Sequence, residues 1–224
     1  MEKIILGLLL LLAASCSLNK IDGLMKLSKN CLCNVNTNTD KLASKEEGAV
    51  KEFSFINSDL FDFGISKENF ALSSAILINN YFEIEPGQII KVNIVEESGD
   101  KNKKITTYTY EQGEINELSP NYFKIETIIN EFSKNLYQEN FYKCKMLMLT
   151  DIRMENEEFN LLMSKILGNL EKGYIDTNIL SYKVEEETYH IYGGIYTEND
   201  MIKIFDMAFK ETTSGLKIIA FEFY

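Results

Sequence analysis

Asp206 is the residue whose surroundings point most directly to chemistry. It is the one carboxylate between Met201 and Phe209. A two-residue alternation puts Ile202, Ile204 and Ala208 on its face of a strand, with Phe205, Met207 and Phe209 on the other. A carboxylate among apolar neighbours either lines a pocket or lies on a solvated sheet face. In a pocket, desolvation raises its pKa and suits it to act as a general base. Tyr192 and Tyr196 share one face of the preceding strand and would line the same cavity. The candidate ligand-binding set is therefore Tyr192, Tyr196 and Asp206, with Asp206 the candidate for catalysis.

Other reactive groups are sparse. His190 is the single histidine and follows Glu185-Glu186-Glu187, where a surface position is easy. No Gly-x-Ser-x-Gly elbow exists, and no histidine is available for a serine triad. Asp62-Phe63-Gly64 matches a magnesium-binding triplet, but no Gly-rich loop or His-Arg-Asp accompanies it. Phosphate-cradling glycine loops are absent as well. The four cysteines are Cys16, Cys31, Cys33 and Cys144. Cys31 and Cys33 flank Leu32, and a bridge across one residue would be strained. A bond from either to Cys144 is the alternative, and the sequence does not choose. Zinc wants about four ligands, so Cys-Leu-Cys with one distant histidine is not expected to be a metal site. No cofactor is expected.

Cys16 has a different chemistry. Lys3 precedes an apolar run from Ile4 to Leu12, followed by Ala13, Ala14, Ser15 and Cys16. The run is shorter than the roughly 20 apolar residues that span a bilayer, so it reads as a cleaved signal. The segment resembles a bacterial lipoprotein signal. That resemblance implies that residues 1–15 are removed and that Cys16 carries lipid as the first mature residue. Two features depart from the pattern: Ala13 stands where leucine is usual, and Glu2 offsets Lys3. Ser17, in place of aspartate, implies the outer membrane, facing the periplasm or the surface. The expected membrane partner is reached through Cys16 alone, since each buried methylene of an acyl chain contributes about 0.8 kcal/mol.

Composition excludes one further class. With 34 acidic and 23 basic side chains the formal net charge is −11. Such a chain repels phosphate, and no basic stripe overcomes that, so nucleic acid is not an expected partner. Hydrophobic residues make up 45%, enough for a packed core.

The elements that must position these groups follow from periodicity. Residues 16–48 are rich in Asn, Thr and Lys and read as a flexible tether. A small α+β unit over residues 49–117 follows. A strand carrying Phe53 and Phe55 precedes a loop with Leu60, Phe61 and Phe63 as core contacts. Ser66 caps a helix to about Phe82 that is apolar on most faces. Ile90, Val92 and Ile94 then alternate as a strand, paired through a turn at Ser98-Gly99 with Ile105–Tyr110. Ser119-Pro120 marks a helix start, Ser as N-cap and Pro at the first position. A second helical or extended stretch covers Phe141–Leu149. A third helix carries Phe159, Leu162, Met163, Ile166, Leu167 and Leu170 as an apolar stripe, from which Met163 and Ile166 are expected in the core. Four strands close the chain: Leu180–Val184, His190–Tyr196, Met201–Phe209 and Leu216–Phe223.

That order over residues 118–224 resembles the NTF2-like, cystatin-like α+β fold, in which helices pack on a curved antiparallel sheet. The residues carrying the resemblance are Phe132 to Phe141, Leu161 to Lys172, Gly193-Gly194-Ile195-Tyr196 and Gly215-Leu216-Lys217-Ile218-Ile219. The expected fold class is therefore α+β, a strand-helix-hairpin unit followed by an NTF2-like domain. The resemblance implies a pocket between helices and sheet, which in enzymes of the family holds an ionisable residue. Fold does not give function. The reading that follows is a lipid-anchored envelope protein serving as a non-enzymatic binding or interaction module. A homodimer or an envelope protein would meet it through the C-terminal sheet, whose strands are apolar on both faces. The alternative is an NTF2-like pocket protein that binds, isomerises or dehydrates a small apolar ligand.

Overall fold

A computed structural model describes residues 21–38, 50–98, 102–149, 154–199 and 202–224. The protein is an α+β chain with two four-stranded sheets. It divides into two compact units, Met1–Leu118 and Ser119–Tyr224.

The first unit opens with helix α1, residues 21–31, followed by β1 (Asn34–Asn38), β2 (Val50–Ile56), a 3₁₀ turn at Asp59–Phe63, α2 (Lys67–Tyr81), β3 (Ile89–Ser98) and β4 (Asn102–Glu111). The sheet order is β1-β2-β3-β4. β2 and β3 run parallel, and a parallel pair needs a crossover, which α2 supplies. Ser66 caps α2 by accepting from the Asn69 amide at 3.5 Å. Phe70, Ala71, Ala75, Ile76, Leu77 and Ile78 are all buried, in keeping with a helix apolar on most faces. Phe53 and Phe55 enter the same core as Val92 and Ile94, their register partners. Phe53 meets Phe82 edge to face at 4.8 Å, and Phe55 meets Phe70 at 5.2 Å. The opposite sheet face is polar around Asn93 and apolar where Ile56, Val95 and Ile105 line up across β2, β3 and β4. The Asn93 side-chain amide donates to Glu52 and Ser54, and the Thr107 hydroxyl donates to Asn93 Oδ1 at 2.8 Å.

The tether reading fails over residues 21–38. α1 buries Leu27, Asn30 and Cys31, and Gly23 sits so close to α2 that a Cβ would lie 2.7 Å from that of Tyr81. β1 pairs antiparallel with β2, Val35 opposite Phe55 and Thr37 opposite Phe53. A backbone ladder can recruit a polar strand, because the hydrogen bonds do not depend on side-chain type. The first unit therefore begins earlier than residue 49, while residues 16–20 and 39–48 of the expected tether lie outside the described residues. Phe63 is also corrected: it is 65% exposed, whereas Leu60 is buried.

Helix α3 runs Gln112–Tyr137 and contains Pro120 in its interior. The expected helix start at Ser119-Pro120 is thus a point inside a longer helix. Proline cannot donate to the carbonyl four residues back, at Asn116. That missing bond lies beside the boundary between the two units.

The second unit continues with α4 (Phe141–Met146), α5 (Asn156–Gly168), and a meander of β5 (Tyr174–Glu185), β6 (Thr188–Thr197), β7 (Ile202–Thr212) and β8 (Gly215–Phe223). All three pairings are antiparallel, in order β5-β6-β7-β8. Register shifts at Ile179/Ser181 and Ala208/Phe209 add the local bending of a curved sheet. One sheet face carries Tyr182, Ile191, Ile195, Phe205, Met207, Phe209 and Ile218, each 0% exposed. α3 packs on that face: Tyr122 meets Tyr182 and Phe132 meets Phe221, each at 5.4 Å between ring centroids. The Thr177 hydroxyl donates to the side-chain oxygen of Asn130. On α5 only part of the stripe is core. Phe159 and Met163 are buried, Ile166 is half-buried, and Leu162 is 37% exposed.

Candidate functional site

The three residues singled out from the sequence come apart. Tyr192 and Asp206 are directly opposite each other across β6 and β7, and Glu222 is opposite Asp206 across β7 and β8. All three lie on the sheet face away from Phe205 and Met207. Tyr192 is 37% exposed and Asp206 half-buried. The Asp206 carboxylate beside the Tyr192 phenol raises its pKa above the usual value, since a second negative charge is disfavoured there. Tyr224 donates to Glu222 at 3.2 Å. Two carboxylates with no lysine between them make this a partly wetted polar row.

Tyr196 shares the face but lies at the other end of the strand, opposite Ile202, and is buried. Burial pushes its phenol pKa up. Between the two tyrosines, Gly194 lies close to Ile202, Leu180 and the Tyr196 ring. The face therefore changes from polar at Tyr192 to apolar at Tyr196. None of the four hollows described for this chain is lined by Asp206, Tyr192 or Tyr196.

The other reactive groups are accounted for locally. His190 Nε2 faces Glu185 at 3.5 Å in the β5–β6 hairpin. Cys31 and Cys33 are joined to each other, with Cα atoms 5.0 Å apart, and Cys144 is free and buried. The structure thus chooses the one-residue bridge over a bond to Cys144. The turn after α1 makes it reachable, with Leu32 in the left-handed region at φ +50°. Burial pushes the Cys144 thiol up to about 12, so at neutral pH it is a neutral thiol rather than a nucleophile. Its Sγ approaches the Phe132 carbonyl at 3.6 Å. Among the described residues no three His, Cys, Asp or Glu side chains gather to hold a metal ion, and no helix is long and apolar enough to cross a membrane. Cys16, the expected lipid attachment point, lies outside the described residues.

A better-formed hollow lies elsewhere in the second unit, where α4, the start of α5 and the β7–β8 turn converge. Its volume is about 540 Å³, within the range of small-molecule sites. Buried Met148 and Phe159 contribute apolar surface, and exposed Tyr142 and Met146 add to it. The rest of the lining is Lys145, Lys217, Asn156, Leu149 and the turn residues Thr212, Thr213 and Ser214. Its titratable groups are thus two lysines and one tyrosine.

Backbone geometry sets this hollow. The chain after α4 pairs with β8: the Leu149 amide donates to the Ile218 carbonyl at 2.9 Å, and the Ile218 amide donates to that of Leu147 at 3.0 Å. This parallel contact, with Met148 opposite Ile218, adds a short fifth segment to the sheet. Lys217 reaches back to the Met146 carbonyl at 2.8 Å. Lys145 donates to the Met154 carbonyl at 2.7 Å and to Asn156 Oδ1 at 2.8 Å, with its ammonium over the Phe159 ring. At the opposite rim the Thr212 hydroxyl donates to the Gly215 carbonyl at 2.7 Å, fixing the turn.

Sequence reasoning missed this place. Lys145 and Lys217 are ordinary residues in the sequence, and 71 positions separate Lys217 from its partner Met146. Lys217 lies in the Gly215–Ile219 segment that carries the fold resemblance, but nothing there marks it as a ligand contact, and only the tertiary structure unites it with Lys145. No protein-family model matches the chain, and comparison with curated proteins finds no relative.

Proposed function

We propose that this chain is a lipid-anchored protein of the bacterial envelope whose second unit is a non-enzymatic binding module. The observation that carries the binding reading is the 540 Å³ hollow, whose lining combines an apolar floor with two ammonium groups. Lysine ammonium groups already held by backbone carbonyls, as Lys145 is by Met154 and Lys217 by Met146, are positioned to orient a ligand. The helices-then-meander order of residues 119–224 supports the resemblance to NTF2-like domains, many of which bind rather than catalyse. Small residues ending on Cys16 support the anchor. A homodimer or an envelope protein remains the proposed partner at the C-terminal sheet.

Two measurements test this reading. Cys16→Ser should release the protein from the membrane fraction or block its processing; unchanged fractionation and migration would remove the anchor. For binding, amide chemical shifts of the mature Cys16→Ser chain are followed against a library of small organic fragments. Shifts clustered on Met146, Phe159 and Ser214 are expected. Shifts confined to Tyr192 and Asp206, or none at all, would sink the assignment of the module to this hollow.

A further inference from the structure

We infer that the hollow between α4, α5 and the β7–β8 turn takes a small amphiphilic anion, an acid headgroup carrying an apolar tail. The inference rests on the binding-module reading and names its ligand class.

The first part of the argument is donor accounting. A lysine ammonium has three N–H donors. Lys145 spends two, on Met154 and Asn156, and Lys217 spends one, on Met146. Among the described residues, three donors are left over on the two ammonium groups that line this hollow. Neither ammonium is ion-paired with a carboxylate among the described residues. That is notable in a chain with 34 acidic against 23 basic side chains, where Lys67, Lys103, Lys183 and Lys210 all have a glutamate within 3.5 Å. Both lysines are held in place by backbone carbonyls rather than left to wander, so the charge is positioned before a ligand arrives. Prepositioning reduces the ordering cost of binding.

The second part is the floor. Phe159 and Met148 are buried at its base, and Met146 and Tyr142 offer exposed apolar surface along its wall. Methionine adapts to a flexible tail, and the tyrosine ring gives it a flat apolar face. An inorganic anion would leave this surface unused, and a neutral hydrocarbon would leave the leftover ammonium donors to water alone. An acid with an apolar tail satisfies both.

The test uses the mature Cys16→Ser chain and titration calorimetry below the aggregation concentration of each probe. Hexanoate, octanoate and decanoate are compared with octanol and octyl phosphate. Affinity should rise about fourfold for each added methylene. Octanol should bind about tenfold more weakly than octanoate. Lys217→Met should remove the preference for octanoate over octanol while leaving the chain-length dependence, and Lys217→Arg should restore the preference. Tighter octanoate would assign a free fatty carboxylate, and tighter octyl phosphate a phosphate-bearing lipid; either supports the inference. Equal affinity for octanoate and octanol, or an acid preference that survives Lys217→Met and Lys145→Met together, would overturn it. If neither acid binds while other fragments still shift Met146, Phe159 and Ser214, the ligand class is wrong and the binding reading stands. If no fragment shifts those residues, both fall.

Discussion

The two sheets are built by opposite strategies. In the second unit, β5 to β8 follow one another as a meander, each paired with its sequence neighbour. In the first, β2 and β3 are parallel neighbours that meet only because α2 carries the chain back across. A hairpin closes with a short turn, and its register is set locally. A crossover pairing needs a long connection to be ordered first, so its stability rests on the helix core more than on the turns. The contrast places vulnerable side chains of the first unit at the helix–strand contact of the crossover, whereas in the second they are shared between the meander and its helices.

The largest expected effect probes the crossover. Phe53 is fully buried, opposite Val92 in the parallel pair, with its ring against Phe82. Phe53→Ala should cost about 3–5 kcal/mol, read from denaturant unfolding and from loss of amide protection in β2 and β3. A loss below about 1 kcal/mol would mean that the parallel pair is not held by this core.

The second unit offers a paired test on one helix. Met163→Ala should cost about 2–5 kcal/mol, since the side chain is 0% exposed. Half-buried Ile166→Ala should cost clearly less, because part of that side chain is already in water. Equal losses would show that the whole α5 stripe is core, as its spacing alone suggests.

Within the meander, Gly193 is required by a close approach. A Cβ there would lie 2.0 Å from the tip of the Phe205 ring, which is fully buried across the strand pair. Gly193→Ala should destabilise by about 1–3 kcal/mol, measured as a lowered denaturation midpoint. Combining it with Phe205→Leu should recover part of the loss. Without any recovery, the steric account of this glycine is wrong.

The smallest effect concerns the polar row. Asp206→Asn removes one of two facing carboxylates and should change stability by about half a kcal/mol or less. It should also lower the pKa of Tyr192 toward its usual value, because the Asp206 charge is the main influence raising it. In the wild type the phenol stays neutral to higher pH. Any stability from that shift is present below the ordinary tyrosine range and is lost as pH rises through the folded value. Ultraviolet or NMR titration of Tyr192 reads the change. An unaltered titration would separate the two side chains despite their register.

The candidate chemistry was legible only in part. The alternation of Ile202, Ile204, Asp206 and Ala208 marks one strand face correctly. Tyr192 and Tyr196 also share a face, as their spacing of four requires. Strand periodicity cannot say how each end of a face is covered, and coverage is what separates exposed Tyr192 from buried Tyr196. The cysteine pairing was equally out of reach, since the left-handed backbone at Leu32 that accompanies the Cys31–Cys33 bridge leaves no sequence mark.

Local pattern determined the α+β class, the capped and buried helix after Ser66, the Ile90–Val92–Ile94 strand face and the four-strand meander. Those features arise from interactions between residues close in sequence: periodicity, caps and tight turns. Tertiary structure alone decided the rest. It recruited Asn-Val-Asn-Thr-Asn into β1 by pairing it with β2, because backbone ladders reward any strand that can reach a partner. It extended α3 through Pro120, despite the lost backbone bond and the crowding of the proline ring against the carbonyl four residues back. And it brought Lys145, over the Phe159 ring, and Lys217 into the lining of one hollow, because a hollow is made by surfaces far apart in the chain that no local rule can bring together.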